Sequence, residues 1–435
     1  HTRYARVTGV QDVCSSDLIQ TRFSRSLSVD AGITEVSKGI YWIGVNDWDL
    51  REFHSMHAPI GTSYNSYVIK CQNPTIIDPV KGTFANQWID RLESMFGKDL
   101  KGVKNIIVQH AEPDHTSALP ILAQRFPHIK ILATKQNMNT LSRFYNTKGW
   151  NYKEVKLGQE IDLGDKKLVM AGVPMAHWPE SAVTYLKDDK ILFSSDAFGQ
   201  HIASTKRFFD EIDGATYVKQ AKEYYANILL RLQKPVLKAI KTAGSLPGIN
   251  MVLPAHGVGL RRPGDIAAGI KLYTDWANQK PSAKVSILYD CNWFGTEKMA
   301  VAIASGAAKA GNVDVKMLHA RRTHITNVAT ELVDTASLAV GSSTLHESIL
   351  PDLAMHLNYL KCLQIKNKAG AIFGTYGWNK NAVPTEIRNQ LLIPTKTQEV
   401  AEPVLALWNP NYDNLKKCEE LGKKLGEIAI QKANK

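Results

Sequence analysis

Asn105-Ile106-Ile107-Val108-Gln109-His110-Ala111-Glu112-Pro113-Asp114-His115 carries the strongest fold signal in the chain. Its first five residues form an apolar, β-branched run, the mark of a buried strand. The next six hold two imidazoles and two carboxylates, with Pro113 stiffening the loop. A loop leaving a buried strand turns alternate side chains inward. Four such ligands would crowd one ion, so a two-metal site is expected. Polar residues capping turns would account for any one of them, but not for a cluster matched by further ligands at other strand ends.

Residues of the same character recur where other strands finish. His177, in Ala-His-Trp-Pro-Glu-Ser, follows the run Lys167–Val173. Asp196, in Ser-Ser-Asp-Ala-Phe-Gly, follows Lys190–Ser194, and His256, in Pro-Ala-His-Gly, follows Met251–Leu253. The set is then four histidines and three carboxylates. With one carboxylate shared, it fills two ions and leaves coordination positions open. Hydrolytic zinc sites favour histidine, whereas mixed histidine and carboxylate with open positions suits non-haem iron, so Glu112 is the discriminating residue.

The chain has 435 residues, which predicts two domains. With 44% hydrophobic and 22% charged residues it reads as globular, and no apolar run reaches membrane-spanning length, so no membrane is expected. The net charge is +12, but Lys and Arg are scattered and no nucleic-acid-binding motif accompanies them, so no nucleic acid is expected. The five cysteines include no Cys-x-x-Cys pair. That argues against a disulfide framework, a zinc ribbon or a built-in rubredoxin-type centre, and points to a reducing compartment.

Residues 1–31 read as a disordered or non-native leader. Arg6–Leu18 has no period and resembles translated sequencing-adapter read-through. Ile19–Val29 carries Arg and Ser but no acid, a composition that fits an organellar targeting remnant of mitochondrial or hydrogenosomal type. The expected location is cytoplasmic, with such an organelle as the alternative.

One domain is expected over 32–280 and a second over 284–435, joined at Gln279-Lys280-Pro281-Ser282. In the first, Tyr67–Lys70 and Thr75–Asp78 flank a hairpin signal at Gln72-Asn73-Pro74, and Tyr185–Lys187 and Lys190–Ser194 meet at Asp188-Asp189. Phe84, Trp88, Leu92 and Met95–Phe96 have helical spacing, with Thr83 as N-cap. The second domain alternates. Strands are expected at Lys284–Tyr289, Val313–Leu318, Leu338–Val340, Ala369–Phe373 and Val400–Leu405, and helices include Thr296–Ala310 and Leu415–Ile430. This α/β alternation predicts a doubly wound parallel sheet with ligands at the carboxyl ends of its strands.

Three loops lie at those ends. Cys291-Asn292-Trp293-Phe294-Gly295-Thr296 offers amides, a helix N-terminus and the Thr296 hydroxyl to a phosphate. Gly341-Ser342-Ser343-Thr344-Leu345-His346-Glu347 is the second, and Gly374-Thr375-Tyr376-Gly377-Trp378 offers aromatics to a flat ring. Ordinary turn chemistry explains any one of them alone; three at successive strand ends favour FMN.

The metal cluster, together with Asp47-Trp48-Asp49-Leu50, Gly61-Thr62-Ser63-Tyr64-Asn65 and His177-Trp178-Pro179, resembles the flavodiiron proteins, or A-type flavoproteins, from about residue 35 onward. The resemblance implies an N-terminal metallo-β-lactamase-like αββα sandwich and a C-terminal flavodoxin-like domain binding FMN. It implies one iron on His110, Glu112 and His177, a second on Asp114, His115 and His256, and Asp196 bridging them. Hydrolytic relatives carry histidine where this chain has Glu112. Family loops usually begin with Ser or Thr where Cys291 stands, continue with Met before Trp293, and read Gly-Ser-Pro-Thr-Leu-Asn-Asn over 341–347. Cys291, Asn292, Ser343, His346 and Glu347 therefore depart from the pattern.

The implied chemistry is reduction of dioxygen to water, nitric oxide to nitrous oxide, or both, with electrons passing from FMN to two non-haem irons. A first domain with a radius of gyration of about 18 Å is expected to hold the two centres apart within one chain, and the resemblance implies a head-to-tail homodimer, or a dimer of dimers, that brings them together. Electrons would come from an external donor such as rubredoxin or a reductase, and a small acidic carrier suits the basic chain. The competing readings are a binuclear zinc hydrolase with an attached flavodoxin domain and a flavodoxin-type carrier with a relict metal domain.

Overall fold

Tyr67–Ile69 and Thr75–Ile77, both buried, pair antiparallel across the expected turn in a computed structural model that describes residues 32–435. The leader expected over 1–31 lies outside the described residues. From this hairpin a seven-stranded sheet extends in the order Thr34–Ser37, Ile40–Trp42, Tyr67–Ile69, Thr75–Ile77, Asn105–Ile107, Lys130–Ala133, Tyr152–Glu154. A second sheet of five strands runs Glu160–Asp162, Lys167–Gly172, Ala182–Leu186, Ile191–Ser195, Met251–Pro254.

Strand periodicity sorts the side chains into layers. Tyr67, Ile69, Ile77 and Ile107 of the first sheet meet Leu168, Met170, Ile191 and Phe193 of the second in a core between the sheets. The opposite face of the first sheet packs on the helix Ala85–Phe96 through Trp88, Ile89 and Leu92. The opposite face of the second packs on Gly214–Tyr224, Gln233–Gly244 and Pro263–Ala277. The result is the αββα sandwich.

The remaining sheet has six strands, all parallel. Asp314–His319 lies beside Ser282–Asp290, followed by Thr335–Ser343 and Ala369–Tyr376. Gln398–Glu399 and Val404–Leu407 both pair with Ala369–Tyr376. Counting the last two as one interrupted strand gives the order 2-1-3-4-5, the flavodoxin-like winding.

Two local expectations are corrected. Thr83 is not an N-cap: a 3₁₀ turn over Gly82–Phe84 leads into the helix, whose N-cap is Phe84, with no side-chain cap bond. The strand expected at Val400–Leu405 is split around Pro403, which has no N–H to give to a ladder. Elsewhere several strands of the first unit are a residue or two shorter than expected, while strands of the parallel sheet such as Thr335–Ser343 and the last helix are longer. The last helix spans Tyr412–Ala433, with the Asn411 side chain accepting from Asn414 N.

Gln279 of the joining segment is fully buried. Its Nε2 donates to Gln364 O at 3.0 Å and its Oε1 accepts from Lys366 N at 2.7 Å, so the segment is clamped to the second unit. Across the same junction Lys222 Nζ pairs with Asp334 Oδ1 at 2.9 Å, and the His57 and His324 rings stack with centroids 3.4 Å apart. Among the described residues no helix is long and apolar enough to cross a membrane.

Candidate metal centre and flavin cradle

His110 stands just beyond the strand Asn105–Ile107, and Asp196 and His256 directly follow or lie just beyond Ile191–Ser195 and Met251–Pro254. His177 lies on the loop after Lys167–Gly172, so both sheets end at one edge with their ligating groups together. Asp114 and His115 sit on a single helical turn, Pro113–Thr116, whose start Pro113 favours by its fixed φ. Thr116 Oγ1 ties that turn back to Glu112 O at 2.8 Å.

The seven side chains expected from sequence converge as two triads. Glu112 Oε2 lies 3.1 Å from both His110 Nε2 and His177 Nε2. Asp114 Oδ2 lies 3.1 Å from His256 Nε2 and 3.5 Å from His115 Nε2. Asp196 stands between them with its oxygens divided. Its Oδ2 faces His177 at 3.3 Å and His110 at 3.5 Å, while its Oδ1 faces His115 at 3.1 Å and His256 at 3.6 Å. Six of the seven are buried.

Crowding of this kind without hydrogen-bond alignment tests whether metal fits. Asp114 Oδ1, Asp196 Oδ2 and His115 Nε2 are buried with no hydrogen-bond partner, although opposite charges stand within about 3.5 Å. Such atoms are costly unless something else satisfies them. Two overlapping donor groups, His110/Glu112/His115/Asp196 and Asp114/His115/His256, are each compact enough for one ion. A pair of cations satisfies the orphaned atoms and offsets three buried carboxylates, so the residues fit a binuclear centre.

The electrostatics of the bare cluster agree. Burial disfavours charge on Glu112, yet its hydrogen bonds to His110 and His177 hold its carboxyl down at about 2. Burial likewise opposes the His177 cation, but the nearby carboxylates of Asp196 and Glu112 hold its pKa up at about 10. Asp196 is held well below the ordinary carboxylate range against burial, chiefly by His115. Protons on His110, His115 and His177 thus stand in for cations.

Residues that sequence reasoning did not name as site residues orient the cluster. His110 Nδ1 donates to Glu180 Oε1 at 2.9 Å, and His256 Nδ1 donates to Ser63 O at 2.7 Å, leaving each Nε2 free to ligate. Tyr224 OH donates to Asp196 Oδ1 at 2.9 Å. His54, half exposed, places Nε2 3.2 Å from Glu112 Oε1. His201 is buried beside His256, with Nδ1 3.0 Å from Thr62 Oγ1 and Nε2 unpartnered. Burial and the nearby His256 push its pKa down to about 3, so it is neutral. Glu180 and Ser63 lie within motifs already singled out; Tyr224, His54 and His201 carry no local signal.

The three loops of the parallel sheet also come together. Thr296 Oγ1 lies 3.0 Å from both Ser343 Oγ and Thr375 Oγ1, and the last two are 3.1 Å apart. Phe294, in the left-handed region, ends the loop at the start of the helix Gly295–Ala308. Trp293 and Trp378 are exposed, as is Trp408, which the sequence did not single out and whose ring centroid lies 6.1 Å from that of Trp378. A side chain at Gly377 would run into the Trp408 ring. Asn292, His346 and Glu347 are exposed, and Thr344 and Leu345 line the second loop, where Thr344 N donates to Thr375 O at 2.9 Å. Cys291 differs from its neighbours. It is buried, with Sγ directed toward His319 Nε2 at 4.0 Å. Hydroxyls, helix amides and exposed aromatics at one edge fit a phosphate-bearing flat ring.

A binuclear donor set at the edge of an αββα sandwich, joined to a flavodoxin-like sheet, defines a two-unit metalloprotein of metallo-β-lactamase type. The model of the "ODP family beta lactamase" matches residues 62–257. The nitric oxide reductase of Moorella thermoacetica is 35% identical over 397 residues, covering 90% of this chain and 97% of that protein. The rubredoxin-oxygen oxidoreductase of Megalodesulfovibrio gigas is 35% identical over 350 residues, covering 80% and 86%. The crystal structure of the flavodiiron protein from Giardia intestinalis superimposes with a TM-score of 0.88 at 33% identity, covering 92% of this chain and 98% of that one. The chain belongs to the flavodiiron proteins.

Proposed function

We propose that this protein reduces dioxygen, nitric oxide or both, using a diiron centre and FMN and taking electrons from an external donor. The observation that carries the reading is Asp196, which turns one oxygen to each of two His/carboxylate triads. Relatives named nitric oxide reductase and rubredoxin-oxygen oxidoreductase support it. His110, Glu112 and His177 would hold one iron and Asp114, His115 and His256 the other. When bound, the two irons and the flavin supply the electrons that the gas consumes.

The chain's own groups have distinct tasks. Glu180 and the Ser63 carbonyl fix which imidazole nitrogen faces the metals. Tyr224, whose pKa burial and Asp196 raise far above that of a free phenol, keeps its proton on Oη and gives it to Asp196 Oδ1 as a hydrogen bond. His201 stays neutral, so it adds no charge beside the metal ligands. Thr296, Ser343 and Thr375 would bind the flavin phosphate, with Trp293, Tyr376 and Trp378 beside the ring.

The working units are 32–280 for iron and 284–435 for FMN, in a cytoplasmic head-to-tail homodimer served by a rubredoxin or a reductase. The test is anaerobic reduction followed by addition of either gas, alongside iron and flavin analysis. Consumption is expected only from protein carrying both. Normal consumption by iron-free or Asp196→Ala protein would overturn the proposal, and a fully active monomer by light scattering would overturn the dimer.

A further inference from the structure

Behind the metal centre lies a cavity of about 310 Å³, between the second sheet and the helices Gln233–Gly244 and Pro263–Ala277. Its sheet-side wall includes Val183, Leu192 and Val252, and its helix-side wall includes Ala239, Ile240 and Tyr273. The alternation of the strand Ile191–Ser195 explains the apolar wall. Ile191 and Phe193 fill the core between the sheets, which leaves Leu192 and Ser194 facing the helices.

The cavity offers little to water. A buried water needs two to four polar partners. The Ser194 hydroxyl is already given to Ala197 O at 2.7 Å, and the buried Tyr273 hydroxyl is the free polar side-chain group in the lining. By contrast, the cleft between His54 and Arg321 is lined by Glu52, Arg322, His324 and Asp352 and suits ions and water.

Its position relates it to the metal centre. Two lining residues, Ala176 and Ala197, are the chain neighbours of His177 and Asp196. At its other end it is lined by Gly244 and Gly248, both exposed. The cavity is therefore bounded by exposed glycines and by the chain neighbours of two residues that would hold iron. An unfilled apolar cavity lowers stability, while such cavities take up small apolar guests including xenon.

We infer that this cavity admits an uncharged diatomic gas, dioxygen or nitric oxide, stores it, and delivers it past Ala176 and Ala197 to the metal centre. The inference rests on the gas-reductase reading above. Crystals of the iron- and flavin-loaded protein pressurised with xenon should show xenon against Leu192 and Ala239. Ala239→Phe should abolish that peak and raise the half-saturating gas concentration at least threefold, with iron content, flavin content and saturating rate unchanged. Ala243→Leu, a smaller filling, should act in the same direction and stands in if the first variant does not fold. A parent that consumes gas but binds no xenon overturns the cavity's role and leaves the activity intact. Xenon displaced with no change in half-saturation also overturns it. A loaded parent that binds xenon yet consumes neither gas overturns the proposed activity, and with it delivery.

Discussion

Glu180 holds His110 by its outer nitrogen: Oε1 accepts from Nδ1 at 2.9 Å while His110 Nε2 points to Glu112 and Asp196. The same oxygen lies 3.2 Å from Ala111 N, so the carboxylate is fixed to the backbone of the cluster it supports. The pair sets the tautomer and makes the imidazole a stronger donor to metal. Glu180→Gln keeps the shape and removes the charge. Iron affinity should fall about 10- to 100-fold, read by chelator competition, while the metal-free protein melts near the parent's temperature.

Asp196 permits a sharper test than deletion. Tyr224 donates to Oδ1, the oxygen on the His115 and His256 side. In Asp196→Asn that hydrogen bond keeps the amide oxygen at the Oδ1 position and turns the NH₂ group toward His110 and His177. An amide NH₂ does not ligate metal. The variant should therefore retain the ion of the Asp114, His115 and His256 triad and lose the other. Metal analysis should give about one ion per chain, against an expected two in the parent. Adding Tyr224→Phe should remove the bias and scatter the remaining occupancy.

The seven cluster residues were legible because each combines a ligating side chain with a place at or just after a predicted strand, and both features are local. The parallel sheet was legible for a similar reason, since alternating periods of two and 3.6 survive in sequence. What the sequence hid is set by distant contacts. A buried Glu180 in a loop looks like any acid until His110, 70 positions away, is placed beside it. Gln279 reads as a polar linker residue, yet it is fully buried because Gln364 and Lys366 meet both ends of its amide. Short edge strands such as Glu160–Asp162, half exposed and charged, lack the apolar run that marks Asn105–Ile107. At Thr83, cap chemistry was present in sequence but the 3₁₀ turn moved the helix start past it.

Ser343 stands where similar loops carry proline, and its hydroxyl lies within 3.1 Å of both Thr296 Oγ1 and Thr375 Oγ1. Cys291 stands where a hydroxyl is usual, and its thiol is directed away, toward His319. The hydroxyl missing from the first loop is thus replaced from the second. Ser343→Ala should weaken FMN binding by about 1 kcal/mol, roughly fivefold, one hydrogen bond's worth. Cys291→Ser should change it little. Flavin fluorescence titration of deflavinated protein measures both, and equal effects would contradict the division of labour.

Lys368 gives the fold a pH dependence that the metal site does not share. It is buried at the start of the strand Ala369–Tyr376, with Nζ 3.4 Å from Val333 O. Burial pulls its pKa down to about 7 from 10.5, against the attraction of Asp334 and with the repulsion of Lys222, Lys432 and Lys284. Between those two values the unfolded chain holds a proton that the folded chain has released. Stability therefore rises with pH across that window, by on the order of 3–5 kcal/mol in total, and is flat in this group's contribution below it. Lys368→Met removes the charge while keeping the length of the side chain. The variant should be more stable than the parent at pH 7, and the gap should close as the pH approaches about 10.5. Chemical denaturation at several pH values, with iron and flavin content held constant, measures it. A gap that stays constant between pH 7 and about 10.5 would show that Lys368 keeps its proton in the folded protein.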